Sequence, residues 1–382
     1  MDIFNETTNG TSSSSNYLNT FDKALVGIFS LIFFVGVLGN SFVIYVFGAK
    51  YKHLCSKQEI LILLLAVVDL IASIANPAVF LYYIITKHER WDFGEAGCKI
   101  IPLIGPVATS LSQGIILIMA LDRDRAIVTP LKSSFSRKTI YKAVAVALLL
   151  SILSYFDFTL YMTTRGTKTC SASGSTLLAN VPRVCHFLIS DLVFLIIFVV
   201  TILRVYIALR KKHGMGFDEV TERNRKEKNK RTMRLLLTMG TAFALCIYPG
   251  DLFQLAYYFS LVVPPNIVFD QKLLNINSAL KVFHTANSCV NVFIYAFIHP
   301  KMKLELKRQI RRLTLGRRTD NNSEMKGGHV VTSNKTICNE PKNANLASPT
   351  INEIAFTRID LAKNNENVID NNNSCVTMLS VA

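Results

Sequence analysis

Seven long apolar segments, separated by shorter polar ones, run through most of the chain. They lie approximately at residues 24–49, 60–86, 100–121, 143–164, 187–203, 235–259 and 273–298. A bilayer core about 30 Å thick needs roughly 20 helical residues to cross it. Helix is the only open-chain structure that satisfies its own backbone hydrogen bonds in lipid. The pattern therefore predicts seven membrane-spanning helices and an all-α membrane protein.

The composition also favours a membrane protein. Half of the 382 residues are hydrophobic and only 18% are charged, which is more apolar than a soluble domain of this length requires. The first ten residues, MDIFNETTNG, lack the basic start and apolar middle of a cleavable signal peptide. We therefore expect the first helix to act as an uncleaved anchor.

Basic residues concentrate beside every second connection. The N-terminal tail contains Lys23 alone, and the basic clusters lie at residues 50–57, 137–142, 223–231 and 301–312. Because basic residues stay on the cytoplasmic side of a membrane, we expect an extracellular N-terminus on a plasma-membrane protein. The net charge of +16 then reflects topology and contact with membrane lipid, and no nucleic-acid partner is expected.

Four domains are expected on this topology. They are an extracellular glycosylated tail at 1–23, a seven-helix domain at 24–298, a short cytoplasmic amphipathic helix at 299–315 and a disordered cytoplasmic tail at 316–382. Asn5 and Asn9 each begin a glycosylation sequon. The C-terminal tail is polar and Asn-rich, and it has too little apolar area to fold alone.

Three cysteines lie near the outer face. Cys98 lies at the start of the third helix, and Cys170 lies in the long loop before the fifth. Both are expected outside the cell, where an oxidising compartment allows them to pair. Cys185 is a competing partner, because connectivity cannot be deduced from spacing.

Charged side chains within the spans mark candidate sites, since each costs a few kcal/mol at bilayer depth. They are Asp69, Asp157, Asp191, Asp251 and Lys281. Asp69 needs hydrogen-bond donors or a cation. Asn287, Ser288 and Asn291 form a polar face on the seventh helix that can supply donors. Asn40 and Ser112 complete this polar set.

Several motifs, in this order and spacing, resemble the rhodopsin-like (class A) G-protein-coupled receptors. They are Gly39-Asn40, LAVVD ending at Asp69, WDFG before Cys98, LDRDR around Arg123 and NVFIY ending at Tyr295. Each fragment alone is weak, and their concordance on seven helices is specific. The resemblance implies a receptor that binds an extracellular ligand and activates a heterotrimeric G protein, with arrestin and receptor kinases as further partners.

The resemblance also implies roles for named residues. Asn40, Asp69, Ser112, Asn287 and Asn291 correspond to the sodium pocket of the family, with Asp69 as the ligand of an allosteric Na+ and no other cofactor. The alternative is a water-filled polar network without an ion.

The residues that correspond to the G-protein switch are Asp122, Arg123, Tyr206 and Tyr295, and those of the activation hinge are Phe243 and Pro249. The alternative for Arg123 is an interfacial arginine that reaches the lipid headgroups.

Four positions depart from the family pattern. Asp124 and Ile247 stand where the family has tyrosine and tryptophan, and Phe198 and Val292 stand where it has proline. Arg123 is therefore expected to face two carboxylates and to pair more tightly. Without its proline, the seventh helix is expected to be straighter at Val292.

The ligand pocket between helices is expected to involve Gly105, Thr109, Asp191, Asp251, Gln254 and Lys281. Gly105 matches the position of the aspartate in amine receptors, and Thr285 matches the retinal lysine of opsins, so both ligand classes are disfavoured. A wide charged cavity, together with Pro77 and a loop around Cys170 with room for a hairpin, resembles peptide receptors, neuropeptide receptors among them.

Two interpretations of the pocket charges stay open. Asp251 and Lys281 form an ion pair, shared with Asp191, as buried opposite charges usually do. Alternatively, Lys281 holds a carboxylate of the ligand, or the two aspartates hold a basic side chain.

No catalytic constellation is present in the sequence, so no enzyme is expected: there is no Walker loop, no metal-spaced His and Cys cluster and no Ser-His-Asp set. Three rival functions remain: a decoy receptor that binds and internalises its ligand without signalling, a transporter or channel that uses the buried acids, and an opsin relative without retinal. The altered switch residues favour the decoy among these.

Overall fold

The structure is a computed structural model that describes residues 18–51, 55–87, 89–129, 135–164, 169–172, 177–210, 219–262 and 270–323. Asn5, Asn9 and the tail from residue 324 lie outside these ranges, and glycosylation and the tail stay predictions. The side chain of Asp157 lies outside the described set as well.

The described residues form an all-α bundle, which confirms the predicted fold class. The helices are α1 (Thr20–Ile44, continued by a π-helix at Tyr45–Lys50), α2 (Lys57–Ile85), α3 (Gly94–Val128), α4 (Arg137–Ser154), α5 (Phe156–Tyr161), α6 (Leu177–Arg210), α7 (Glu219–Val262), α8 (Gln271–Ile298) and α9 (Pro300–Ser323). A short hairpin of β1 (Met162–Thr163) and β2 (Ser171–Ala172) pairs antiparallel, with Met162 opposite Ala172.

Side-chain caps fix where several of these helices begin. Asn19 accepts a hydrogen bond from the Asp22 amide at 2.7 Å, and Asp270 accepts one from the Leu273 amide at 2.9 Å. Ser56 and Glu59 form a reciprocal capping box at the start of α2. Such caps satisfy amide groups that have no partner within the helix.

Five helical segments are long and apolar enough to cross a membrane. They are Thr20–Lys50, Lys57–Ile85, Gly94–Val128, Asp191–Arg210 and Glu227–Tyr257. The fourth and seventh predicted spans, α4 and α8, fall outside this group. Helix α4 has three basic residues near its start, and α8 has several polar side chains along its length. Both helices therefore combine polar or charged positions with apolar ones.

Three predicted boundaries were wrong. The fourth span was expected to reach residue 164, but α4 ends at Ser154 and α5 ends at Tyr161. The structure starts α7 at Glu219 instead of residue 235, because Glu, Lys and Arg are good helix formers that prolong a helix into water. It also extends α9 to Ser323, beyond the predicted end at 315, since one glycine weakens a helix without stopping it.

Helix α3 lies at the centre of the bundle, where it contacts α2, α4, α6 and α7, while α1 packs on both α2 and α8. Ile115, Ile116 and Met119 of α3 are almost completely buried in the apolar core. Cys98 lies near the start of α3 and Arg123 near its end, and we call the corresponding ends of the bundle the disulfide end and the arginine end. The compact unit ends at Asn321; of the second unit, only Asn322 and Ser323 lie within the described residues.

A disulfide joins Cys98 to Cys170 and ties the hairpin to the start of α3. Cys185 is an exposed free thiol, so the competing pairing is not formed. The disulfide packs with Trp91, Tyr83 and Met162 in a small apolar cluster. The hairpin expected around Cys170 is present, and it is fixed over the disulfide end.

Glycines let side chains of neighbouring helices approach closely at two places where the sequence departs from the family pattern. A Cβ atom added to Gly240 of α7 would lie 2.0 Å from the Phe198 ring of α6. One added to Gly39 would lie 2.8 Å from a Val292 methyl group. Phe198 and Val292 are two of the positions that depart from the family pattern, and each fills the space beside a glycine.

We predict that Gly240→Ala destabilises the folded chain by about 1–3 kcal/mol, because the added methyl group overlaps the Phe198 ring. The measurement is the thermal unfolding of the purified chain. Gly27→Ala is the matched control, since nothing lies within 4 Å of the position its Cβ would take. Adding Phe198→Leu to Gly240→Ala should restore part of the loss; an unchanged midpoint for Gly240→Ala alone would contradict the close packing.

Candidate functional site

The carboxylate of Asp69 lies at the centre of a buried polar cluster. Asp69 is 1% exposed. Its Oδ1 accepts a hydrogen bond from Ser112 Oγ of α3 at 2.7 Å, and its Oδ2 accepts one from Asn291 Nδ2 of α8 at 2.9 Å. The three residues that the sequence analysis grouped from separate helices are therefore in direct contact.

A second group of polar side chains continues this cluster toward α1. Asn40 Nδ2 donates to the backbone oxygens of Gly36 and Ser288, both at 3.0 Å. Ser73 Oγ donates to Ser288 Oγ at 3.0 Å. Sequence analysis missed Ser73, although it lies four residues after Asp69 and therefore on the same face of α2. Asn287 is buried next to Ser288 on α8.

The chemistry of the cluster fits a monovalent cation. The Asp69 carboxylate is surrounded by neutral donors, and Asn40 Oδ1 is buried without a hydrogen-bond partner in the described part of the chain. Carboxylate, hydroxyl and amide oxygens are the ligands that hard cations prefer. Within the described ranges, no group of three or more His, Cys, Asp or Glu residues is placed to hold a metal ion.

At the arginine end, Arg123 forms an ion pair with the adjacent Asp122. Asp122 is buried, and its Oδ1 also accepts a hydrogen bond from the Phe135 amide at 3.1 Å. The carboxylate thereby ties Arg123 to the segment that leads into α4.

The expectation that Arg123 faces two carboxylates was wrong. Asp124 Oδ1 lies 3.2 Å from Arg204 Nε of α6. The same oxygen has no hydrogen bond of acceptable geometry, so we regard the contact as an ionic one. Successive residues of a helix point in directions about 100° apart. Asp124 is therefore directed to α6, while Asp122 forms the ion pair with Arg123. Asp122 and Asp124 thus form two separate ion pairs in place of one shared pair.

The two tyrosines of the predicted switch are apart in this structure. Tyr206 is 44% exposed, and the Arg210 guanidinium lies 4.5 Å from its ring centre. Tyr295 is completely buried, and its hydroxyl has no hydrogen-bond partner among the described residues. A structure in which they meet requires Tyr206 to leave Arg210 and turn inward.

The hinge residues lie where α6 and α7 pack together. Phe243 is buried with its ring centre 5.8 Å from that of Phe194, and Phe194 stacks on Phe198 at 5.7 Å. Pro249 lies within α7, which continues through it. Ile247, in the usual tryptophan position, is buried in the same core. Helix α8 continues through Val292, and its straightness there stays a prediction.

Toward the disulfide end, two carboxyl groups face each other between α6 and α7. The Asp191 and Asp251 carboxyl groups are close enough to interact electrostatically, and the Gln113 side chain of α3 approaches Asp191. Gln113 is buried, and its Nε2 atom forms no hydrogen bond with a described residue. Its side chain is directed at Asp191.

The predicted ion pair between Asp251 and Lys281 is not formed. The Lys281 ammonium lies 5.5 Å from the centre of the Phe80 ring of α2. No carboxylate lies within 4 Å of it in the described ranges, because Lys281 is directed to α2 and Asp251 to α6. The described residues toward the disulfide end therefore include an acidic pair and a cation at separate places.

The other predicted pocket residues form neutral contacts. Thr109 Oγ1 donates to the Gly105 carbonyl at 3.1 Å, and Gln254 Nε2 donates to Asn277 Oδ1 at 3.0 Å. Asn76 of α2 fills the space beside Gly105, since an added Cβ there would lie 1.8 Å from Asn76 Oδ1. Sequence analysis missed Asn76 and Asn277; their signal was an amide within an apolar helical face.

Comparison with known proteins agrees with this arrangement. Residues 39–295 match the sequence model of the 7 transmembrane receptor (rhodopsin family). The chain is 29% identical to the [Phe13]-bombesin receptor of Bombina orientalis over 75% of its length and 76% of the relative. It is 27% identical to the C3a anaphylatoxin chemotactic receptor of Danio rerio, covering 78% and 80%, and to the human melanin-concentrating hormone receptor 1, covering 74% and 78%.

Proposed function

Because the chain belongs to the rhodopsin family of seven-transmembrane receptors, we propose that it binds an extracellular peptide and activates a heterotrimeric G protein. The family is one of receptors, which confirms that the chain is a multi-pass membrane protein and no enzyme. In the proposed orientation the N-terminus and the disulfide end face the outside of the plasma membrane, and the arginine end faces the cytoplasm. Arrestin and receptor kinases are proposed as further cytoplasmic partners.

Two findings support a peptide ligand. The relatives are named for bombesin, the C3a anaphylatoxin and melanin-concentrating hormone, all of them peptides or proteins. The observation that carries the proposal is the separation of charge toward the disulfide end, where the Asp191–Asp251 pair and the Lys281 ammonium lie at different places. A peptide can offer a basic side chain to the one and a carboxylate to the other at the same time.

We propose that the acidic pair receives a basic side chain of the ligand. Two carboxyl groups in contact cannot both ionise at little cost, so they share a proton when no cation is present. A guanidinium offers two parallel N–H donors that match two carboxylate oxygens. Its arrival would release the shared proton and link α6 to α7 through the ligand.

Such a link acts on the part of the bundle that is built to move. Pro249 lies two residues before Asp251 on α7, and the absence of its N–H provides a hinge. Phe194, Phe198 and Phe243 transmit a shift of α7 through their ring contacts. A ligand that favours the shifted conformation by a few kcal/mol is enough to change the population.

At the arginine end, the shift is proposed to separate Arg123 from Asp122 and free it for the G protein. The Asp124–Arg204 contact joins α3 to α6 beside it. Both ion pairs must rearrange before Tyr206 can turn toward Tyr295. The free energy needed to break both ion pairs sets the barrier to activity without a ligand.

The polar cluster around Asp69 is proposed to hold Na+ in the inactive state. Asp69 would supply a negative oxygen, Ser112 a hydroxyl and Asn40 the amide oxygen that has no partner. Asn291 and Asn287 would orient the carboxylate and complete the polar wall. The cation would supply the positive charge that the buried carboxylate lacks among its described neighbours.

We predict that cells displaying the chain show G-protein dissociation when challenged with an active fraction of a peptide extract. At equal surface expression, Arg123→Ala should abolish the response. Asp122 is paired with Arg123 and with no other cation of α3, so no second cation of that helix can take its place. Ligand uptake without dissociation by the unmodified chain would instead support the decoy receptor, which Ile247 and Val292 favour. Ion flux with no nucleotide exchange would support a transporter.

We predict that Asp191→Asn and Asp251→Asn each lower the potency of that fraction at least tenfold, because each removes a charge from the pair. Blocking arginine side chains in the extract should lower its potency on the unmodified chain to a similar degree. Asp22→Asn, at the start of α1, is the matched control and should leave the potency unchanged. A blocked extract with full potency would contradict a basic ligand group at this pair.

We predict that NaCl raises the thermal midpoint of the purified chain relative to N-methylglucamine chloride at equal ionic strength. Asp69→Asn should remove this difference, because it replaces the charged oxygen with a neutral amide. Asp251→Asn, which also removes a buried carboxylate, should retain it. Equal midpoints in both salts for the unmodified chain would favour a network of water without an ion.

A further inference from the structure

A cavity of about 360 Å³ opens at the arginine end, between the inner parts of α7, α8 and the start of α9. Lys230, Arg231 and Arg234 of α7 and Lys303 of α9 line it, with Glu227 as the one acidic lining residue. Residues 230, 231 and 234 follow the i, i+4 and i, i+3 spacing of one helical face. Their positive charges therefore converge on the same space.

The acidic lining residue does not neutralise this space. Glu227 Oε1 lies 3.8 Å from Nε of Arg223, which precedes it by one turn of α7. Among the residues whose side chains the structure describes, no carboxylate lies within 4 Å of the four lining cations. Burial lowers the pKa of nearby His299 to about 4 against the opposing charge of Glu59, and the charges of Lys301 and Arg231 lower it further. The histidine is therefore neutral and leaves the positive field unchanged.

The remaining wall of the cavity is apolar and continues along the membrane surface of the bundle. Phe297 and Ile298 of α8 line the cavity, and Phe297 is 72% exposed. Phe293 is exposed one turn closer to the bundle centre, on the same face of α8. A cationic recess thus adjoins an apolar strip that extends into the hydrocarbon region.

We propose that this cavity binds an anionic membrane lipid with a phosphorylated headgroup, its phosphates among Lys230, Arg231, Arg234 and Lys303 and its acyl chain over Phe297 and Phe293. The inference rests on the orientation given under the proposed function, which places the cavity at the cytoplasmic leaflet. Several cations without carboxylate partners suit a headgroup with more than one phosphate. The adjoining apolar strip favours a lipid over a free phosphate compound.

Bound in this way, the lipid would join the inner part of α7 to α8 and α9. These are the elements between which a G protein must insert if α7 swings outward. The lipid would then act as a cofactor of the conformational equilibrium, because any difference in its affinity for the two conformations shifts their populations.

The test uses the purified full-length chain in nanodiscs, with binding of dioctanoyl phosphatidylinositol bisphosphate as the probe and dioctanoyl phosphatidylcholine as the comparison lipid. The double variant Arg231→Gln/Arg234→Gln should weaken binding of the bisphosphate lipid at least tenfold. The matched control is Lys228→Gln/Arg312→Gln, which removes the same charge from α7 and α9 outside the cavity lining and should change binding less than twofold. Thermal midpoints of both variants check that the bundle is folded.

A second arm separates a lipid from a soluble phosphate compound. Phe297→Ser should weaken binding of the lipid while leaving binding of inositol trisphosphate unchanged, because only the lipid uses the apolar strip. Equal loss in the two double variants would overturn the cavity as the site, and so would equal binding of phosphatidylcholine. Unchanged lipid binding by Phe297→Ser would overturn the lipid assignment and indicate a site for free phosphate compounds. None of these outcomes depends on G-protein signalling, so the proposed function is tested separately.

Discussion

A carboxylate in the middle of a membrane bundle must obtain its hydrogen bonds from neighbouring helices, because the hydrocarbon around it offers none. Asp69 of α2 obtains them from Ser112 of α3 and Asn291 of α8. These two bonds fix the rotation of three helices about their axes and the depth at which they meet. The contacts at both ends of the bundle inherit that alignment, since α3 carries the disulfide at one end and Arg123 at the other.

Close packing then determines which side chains each helix can carry. In lipid, association of helices depends on packing and on interhelical hydrogen bonds, and small residues allow the closest approach. Gly36 provides space for Ser73, and Gly105 provides space for Asn76. The absence of an aspartate at Gly105 is therefore more than a missing ligand contact. Asn76 occupies the volume that a side chain at this position would need.

Much of the fold could be predicted from the sequence because the membrane imposes it. Apolar runs indicated the positions of the helices, of which five described segments are long and apolar enough to cross a membrane. The buried Asp69 pointed to its partners on α3 and α8. The lengths of α7 and α9 were less accessible, since charged helices continue into water without an apolar signal. Among the pocket residues, the sequence identified Asp191, Asp251 and Lys281 but could not decide their pairing. That depended on helix rotation, which directs Lys281 to Phe80 and Asp251 to Asp191.

The same limit explains Asp124. Its position beside Arg123 suggested one crowded ionic site, whereas a step of one residue along α3 is enough to direct it to Arg204. On a helix, adjacency in sequence does not by itself decide a contact, because Arg123 pairs with Asp122 and not with Asp124. Residues three or four apart share a face more regularly. The cluster of Asn40, Ser73 and Ser288 follows that rule, and Ser73 was overlooked although its spacing from Asp69 obeys it.

The pairing of Phe198 with Gly240 restricts the order in which this sequence can change. Replacing Phe198 with the proline usual in the family would empty the volume of a benzyl group beside a glycine, at a cost of about 3–5 kcal/mol. Enlarging Gly240 first would produce a clash with the ring that is still present. The two positions are therefore coupled, and only a paired substitution would keep the volume between α6 and α7 filled without a clash.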